Sequence, residues 1–253
     1  MTVSRIFAAW FLLFVGAHTA AALDLSDMSD SERAEFRSEV RDYLLENPEV
    51  LMEAIAVLEQ RQAEAARANE AAALEFLSES IFDDGHSWVG GNPEGDVTLV
   101  EFTDYRCGYC RQAHPEVEEL VASDGNIRLI LKEFPILGEQ SILSSQFAIA
   151  VKELYGDDTY KDIHDALITM RADAVPETLE RLAEAFGLDP AAISDEMLSE
   201  RTAAIINANH RLASQLQITG TPTFIMGDQL LRGYLPLDEM RSQVQALRDS
   251  RED

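Results

Sequence analysis

Apolar residues recur at three- and four-residue intervals near the start of the chain. Phe36, Val40, Tyr43 and Leu44 form one stripe, and Val50, Leu51, Ile55 and Leu58 form a second. That period is helical. Ser29 or Ser31 is placed to cap the first helix. Asn47-Pro48 interrupts the pattern and reads as an N-cap followed by a first-turn proline, so a new helix starts there. From Gln60 to Ala73 the apolar positions thin out into Ala, Glu, Gln and Arg, which favour helix but fill little core. Residues 29–82 therefore predict a helical region with an apolar stripe. The stripe packs either on its own domain or against the same stripe of another chain.

The period changes after residue 82. "DDGHSWVGGNPEGD" (83–96) is turn-rich and marks a boundary. "VTLVEF" (97–102) and "IRLILKEF" (127–134) are short, β-branched runs that predict buried strands, the second ended by Pro135. Residues 108–121 between them predict a helix containing Pro115. From Gln140 to Leu216 the pattern is almost wholly helical, punctuated by Gly156, Gly187 and Pro190. "ITGTPTFIMGDQLLRGY" (218–234) predicts a loop, a strand, a Gly-Asp turn and a second strand, and 236–249 a last helix opening at Pro236. This alternation predicts an α/β fold with a central sheet covered by helices.

The first residues have another character. Arg5 precedes an apolar run from Ile6 to Val15, then a small-residue stretch ending Ala20-Ala21-Ala22. That is the layout of a cleaved secretory signal at 1–22. The run is shorter than the roughly 20 residues that span a bilayer. Export places the remaining chain in an oxidising compartment. The net charge of −26 repels phosphate backbones and disfavours nucleic acid as a partner. With 46% apolar residues the chain can still fill a core, and its acids read as solvated helix faces.

The two cysteines, Cys107 and Cys110, then take on weight, because the chain has no others. Four readings are open. A structural crosslink would close a very short loop and remove little unfolded-chain entropy. Zinc could use both cysteines and His114, but structural zinc wants four ligands, and the remaining histidines read as isolated surface or packing residues. A soft Cu(I) ion could sit on the thiolate pair. A working dithiol needs one thiolate that attacks a disulfide and a second thiol in reach to resolve the intermediate. Two-residue spacing at a helix start supplies both. Cys107 would be the N-cap nucleophile, its acidity raised by the helix terminus and by Arg106 and Arg111, and Cys110 would lie one turn inside. Tyr109 is not cationic, so Cys107 is expected to be less acidic than in a site with histidine there. No phosphate or dinucleotide loop appears, and no organic cofactor is implied.

"VEFTDYRCGYC", Pro115 and the downstream "GTPTF" resemble the thioredoxin superfamily, and more closely its exported DsbA-like branch, over about residues 83–250. "FRSEVRDYLLENPEVLMEAIAVLEQRQ" is similar to the N-terminal helical region of the ScsC, or suppressor-of-copper-sensitivity, group. The resemblance implies a thioredoxin-like domain at 83–253 with a helical insertion at about 139–216, preceded by a 23–82 arm that can build homo-oligomers. It implies that Thr221 and a cis Pro222 face the dithiol, that Thr221 offers backbone groups to a substrate strand, and that Glu101 helps move protons. The competing reading of Glu101 is a strand residue in a salt bridge with Lys132. Substrates would be unfolded or misoxidised exported proteins, and the electron partner a membrane protein of the DsbD/ScsB or DsbB kind. Gly108, Tyr109 and Thr221 depart from the oxidase pattern and point toward isomerisation or reduction in the periplasm. The alternative is a copper(I)-handling or chaperone-like binding protein with the same dithiol as ligand.

Overall fold

The structure, a computed structural model, describes residues 28–252; the signal segment expected at 1–22 lies outside them. The described residues divide into two compact units, 28–61 and 62–252.

In the first unit, α1 (Asp30–Glu46) opens with a capping box, Ser29 accepting from Glu32 N while the Glu32 carboxylate accepts from Ser29 N. Asn47 caps its end by donating to Tyr43 O. The next helix, α2 (Glu49–Phe76), begins right after the Asn47-Pro48 break. No residue of α1 is buried, and Phe36, Val40, Tyr43, Leu51, Ile55 and Leu58 are all exposed.

The second unit holds the end of α2, α3 (Ser78–Phe82) and a five-stranded sheet: β1 (Trp88–Gly91), β2 (Val97–Thr103), β3 (Ile127–Glu133), β4 (Thr223–Met226) and β5 (Gln229–Arg232). The strand order is β1-β3-β2-β4-β5, with β2 and β3 parallel and the other pairs antiparallel. Between β2 and β3 runs α4 (Gly108–Asp124). A helical block follows: α5 (Glu139–Tyr155), α6 (Asp157–Thr169), α7 (Pro176–Ala185), α8 (Pro190–Met197) and α9 (Glu200–Gln215). The last helix is α10 (Leu237–Glu252). The helical block spans residues 139–215.

Strand alternation divides the core. Leu99, Ile127, Leu129, Leu131, Phe224 and Met226 pack with side chains of α4, α6 and α10. Val100, Phe102, Ile130 and Ile225 face the other way, onto Leu74, Ile81, Leu212 and Leu216. Helices on both faces explain why the central strands read as continuous apolar runs. They also move the domain boundary. Leu74 and Ile81 are core residues of the sheet domain, so the last part of the 23–82 helical region belongs with the sheet.

The 83–96 boundary segment contains a strand that its turn-rich composition hid. β1 adds to the edge of β3, and Trp88 stacks on Tyr160 at a centroid distance of 6.1 Å. Gly90 leaves room for the ring; a Cβ there would overlap it.

Lys132 points to the second face, and its side chain is fully buried. Its partner is Asp84 at 2.5 Å, with Ser80 O at 3.0 Å and Ser87 Oγ at 3.2 Å completing its donors. This replaces the considered Glu101–Lys132 bridge, because adjacent positions on paired strands place the two side chains on opposite faces. Burial works against the Asp84 charge, but the Lys132 charge and hydrogen bond, with donors from Ser87, outweigh it and bring the acid down to about 2. Burial still keeps Lys132 below the usual lysine range, so the pair's net contribution is smaller than the acid alone suggests. Asp84→Ala orphans the buried ammonium and should destabilise by about 3 kcal/mol in urea unfolding at pH 7. In the native protein the acid's contribution is full above pH 3.8 and lost as pH falls through about 2.

Candidate active site

The end of β2 turns into α4 through Asp104–Cys107, and hydrogen bonds hold that turn on every side. Asp104 is fully buried; its Oδ1 accepts from Arg106 N at 2.8 Å, and its Oδ2 from Ile136 N at 2.8 Å and Leu137 N at 3.1 Å. The carboxylate thereby pins the turn to the loop after β3. Arg111 reaches back with Nε and Nη2 at 3.0 and 2.8 Å from Tyr105 O. Tyr105 Oη donates to Glu133 Oε1 at 2.6 Å. Cys107 N donates to Asp104 O at 3.0 Å, and Cys107 O accepts from Arg111 N at 3.2 Å.

Cys107 sits at the N-cap with φ −75° and ψ 121°. Both cysteines are thiols, with Cys107 6% exposed and Cys110 fully buried, while Gly108 and Tyr109 between them are exposed. Opposite lies the loop before β4. The Thr221–Pro222 peptide is cis, Pro222 is buried, and Cys107 Sγ donates to Thr221 O at 3.1 Å. Thr223 Oγ1 bonds Gly220 O at 2.8 Å, and Gly233 N donates to Pro222 O at 2.9 Å, so the sheet edge fixes the loop.

Electrostatics separate the two sulfurs. A hydrogen bond from Cys110 is the largest cause lowering Cys107, with further donors in the Thr221 side chain and the Cys110 and Tyr109 N–H groups. Against the opposing burial, these bring Cys107 to about 5. Burial first, then donation to Cys107, then the Glu101 charge drive Cys110 far above the ordinary thiol range. The arginines play a lesser part than their charge suggests. Arg106 bonds Ala172 O and Asp173, and Arg111 is spent on Tyr105 O.

Glu101 lies on β2 beneath the dithiol, 4% exposed. Burial raises it to about 8 despite a hydrogen bond with Thr103, and the charges of Glu118, Cys107 and Glu133 add to the rise. The fold thus brings Cys107, Cys110, Thr221, Pro222 and Glu101 into one place. It places His114 elsewhere, against His164 and Asp165, and neither cysteine joins that cluster. Of the remaining histidines, His164 is not isolated but packs against His114. Sequence reading missed Asp104, Tyr105 and Glu133; the signal available was Asp-Tyr following directly on an apolar strand.

Residues 98–245 match the family model described as DSBA-like thioredoxin domain, and 32–65 match that of the copper resistance protein ScsC N-terminal domain. A thioredoxin-like oxidoreductase from Silicibacter pomeroyi is 38% identical, with a TM-score of 0.63 over 68% of this chain and 97% of that one. A linker-deletion mutant of Proteus mirabilis ScsC is 25% identical, with a TM-score of 0.67 over 90% and 100%. A Na(+)/H(+) antiporter NhaA 1 from Salinispora arenicola is 29% identical over 70% of this chain, which spans only 28% of that relative's length. Among the described residues no helix is long and apolar enough to cross a membrane.

Cys107 alkylation should rise through a midpoint near pH 5 and then level, while Cys110 stays unreactive in the reduced protein; pH-dependent iodoacetamide rates with peptide mapping measure both. The family match covers most of the chain and its motif residues converge on one site: this chain belongs to the DsbA-like thioredoxin-domain family and carries an ScsC-type N-terminal region.

Proposed function

We propose that this chain is a thiol–disulfide oxidoreductase of the DsbA/ScsC type, acting on exported proteins in the periplasm and working as an isomerase or reductase. The observation that carries the reading is the Cys107 sulfur, lowered to about 5 at a helix start and facing Thr221 and the cis Pro222. The Cys107 thiolate attacks one sulfur of a substrate disulfide. A mixed disulfide forms and the second substrate sulfur leaves as a thiolate. Glu101, protonated at neutral pH, relays the Cys110 proton by releasing its own as it takes that one up, and Cys110 displaces the substrate from Cys107, so the substrate gains two electrons and the protein becomes a disulfide. A membrane thiol–disulfide partner of the DsbD/ScsB or DsbB kind exchanges electrons with it. If a different cysteine thiolate of the substrate attacks the mixed disulfide instead, a new substrate disulfide forms, Cys107 leaves as a thiolate, and the substrate isomerises.

Thr221 and Pro222 present backbone to an extended substrate. Exposed Tyr109, and Leu137 next to the N–H groups held by Asp104, offer apolar contact. Gly108 and Tyr109 between the cysteines, and Thr221 before the cis proline, depart from the oxidase pattern, which favours isomerisation or reduction over oxidation in this reading. The ScsC-type match favours one second reading, a Cu(I) ion on the same two sulfurs. The exposed stripe on α1 and α2 fits self-association.

In an insulin reduction assay Cys107→Ser should lose turnover entirely; surviving turnover refutes the enzyme reading, and Cu(I) binding that needs both cysteines would then favour the other. Glu101→Gln should slow resolution roughly a hundredfold, seen as accumulation of mixed disulfide. Phe36→Glu combined with Ile55→Glu should reduce the solution mass to that of one chain. An unchanged mass would show that the stripe does not assemble the protein.

A further inference from the structure

Two carboxyls, not one, lie under the dithiol. Across the parallel ladder Glu101 pairs with Leu131 and Thr103 with Glu133, so Glu101 and Glu133 are diagonal neighbours on one face. They are 4% and 3% exposed, and neither has an ion pair among the described residues. Three hydroxyls converge on Glu133: Tyr105 at 2.6 Å and Tyr160 at 2.7 Å on Oε1, and Ser145 at 2.7 Å on Oε2. Tyr105 Oη also lies 3.0 Å from His164 Nδ1. His164 packs on His114, whose Nε2 is 3.3 Å from Asp165 Oδ1 at the surface. His114, His164 and Asp165 have metal-like spacing, but Lys161 Nζ already sits 2.7 Å from Asp165 Oδ2 and 3.2 Å from Glu118, so the cluster carries its own cation.

We propose that Glu133 is a positioning residue of the dithiol, holding the nucleophile's turn through Tyr105 and keeping the Glu101 carboxyl protonated through its own charge. The first half follows from the clamp. Tyr105 is two residues before Cys107, its ring hydroxyl tied to Glu133 and its carbonyl to Arg111. The second follows from like charges in a dry site, which cannot both ionise. Burial is the leading cause raising both acids, Glu101 to about 8 and Glu133 to about 7. Three donors make Glu133 the better place for the single charge, and the proton stays on Glu101.

Glu133, Tyr105 and His164 can pass a proton without losing their mutual hydrogen bonds. With Glu133 charged, Tyr105 donates to it and His164 Nδ1–H donates to Tyr105. With Glu133 protonated, it donates to Tyr105 and Tyr105 donates to Nδ1. The proton Glu133 gains is the one Nδ1 gives up, His164 takes up another at Nε2, and no electron moves. The titratable and charged groups around Glu133 are Asp104 and Tyr105 from the turn, Glu101 from β2, and Tyr160 and His164 from α6; α5 supplies only neutral Ser145.

The inference rests on the proposed role of Glu101, and the test separates the two. In the full chain, carbon-13 carboxyl titration follows Glu101, assigned with Glu101→Gln, alongside the pH profile of Cys107 alkylation. In Glu133→Gln the Glu101 midpoint should move acidward by about one pH unit, since a like charge is gone. In Tyr105→Phe, Glu133 loses a donor, so its midpoint should rise, that of Glu101 fall, and the Cys107 midpoint climb above about 5. Should Glu133→Gln not fold, Tyr105→Phe decides alone. Unmoved Glu101 and Cys107 midpoints overturn the inference. An unchanged resolution rate in Glu101→Gln, with the midpoints moving as stated, would instead refute the proton-relay role of Glu101 and leave the coupling standing.

Discussion

A sulfur anion withdrawn from water survives only if hydrogen bonds replace the solvent it has lost. At Cys107 those bonds come from Cys110, Thr221 and the first N–H groups of α4. Each donor has a different origin in the fold. The helix start supplies two, the loop before β4 supplies one, and the partner thiol supplies the largest. The arrangement fails if the turn drifts by a fraction of an ångström, which is why Asp104, buried and saturated with three N–H donors, matters as much as the cysteines. A rigid sheet is needed because the donors arrive from segments more than a hundred residues apart.

The two faces of that sheet solve the same problem in opposite ways. On one, Lys132 is neutralised by Asp84 and two oxygen acceptors, and the result is structural. On the other, Glu101 and Glu133 are buried with no counter-cation among the described residues, so burial raises both toward neutrality. A carboxyl that titrates near the working pH is of little use to stability and of much use to proton transfer. The reactive face is the one beneath the thiols.

Much of this was legible from the chain alone. The buried strands, the α4 start at Cys107 and the long helical block all announce themselves through period and punctuation. β1 did not, because its four residues include two glycines inside a turn-rich segment, and only its pairing to β3 makes it a strand. The competing Glu101–Lys132 bridge does not form, because a side chain's face depends on register across the ladder, which no single strand reveals. His164 and Tyr160 reach Glu133 from α6, so their roles exist only once the helical block is folded over the sheet. The arginines illustrate the reverse: formal charge near a motif is visible in sequence, but Arg111 is committed to a carbonyl.

The separation of the two thiols also explains the order of events in the proposed reaction. While Cys107 is a thiolate, Cys110 is held protonated by burial, by its hydrogen bond to Cys107 and by the Cys107 charge, and the Glu101 carboxylate adds to these when it ionises. Forming the mixed disulfide removes the Cys107 charge and with it two of those causes. The same event removes one of the charges that raise Glu101, so Glu101 becomes readier to ionise or exchange a proton as Cys110 becomes readier to lose one. Cys110 therefore acidifies only when a substrate is attached. A dithiol built this way waits in its reduced form without closing on itself, and the trigger for resolution is the loss of charge on the sulfur that did the attacking.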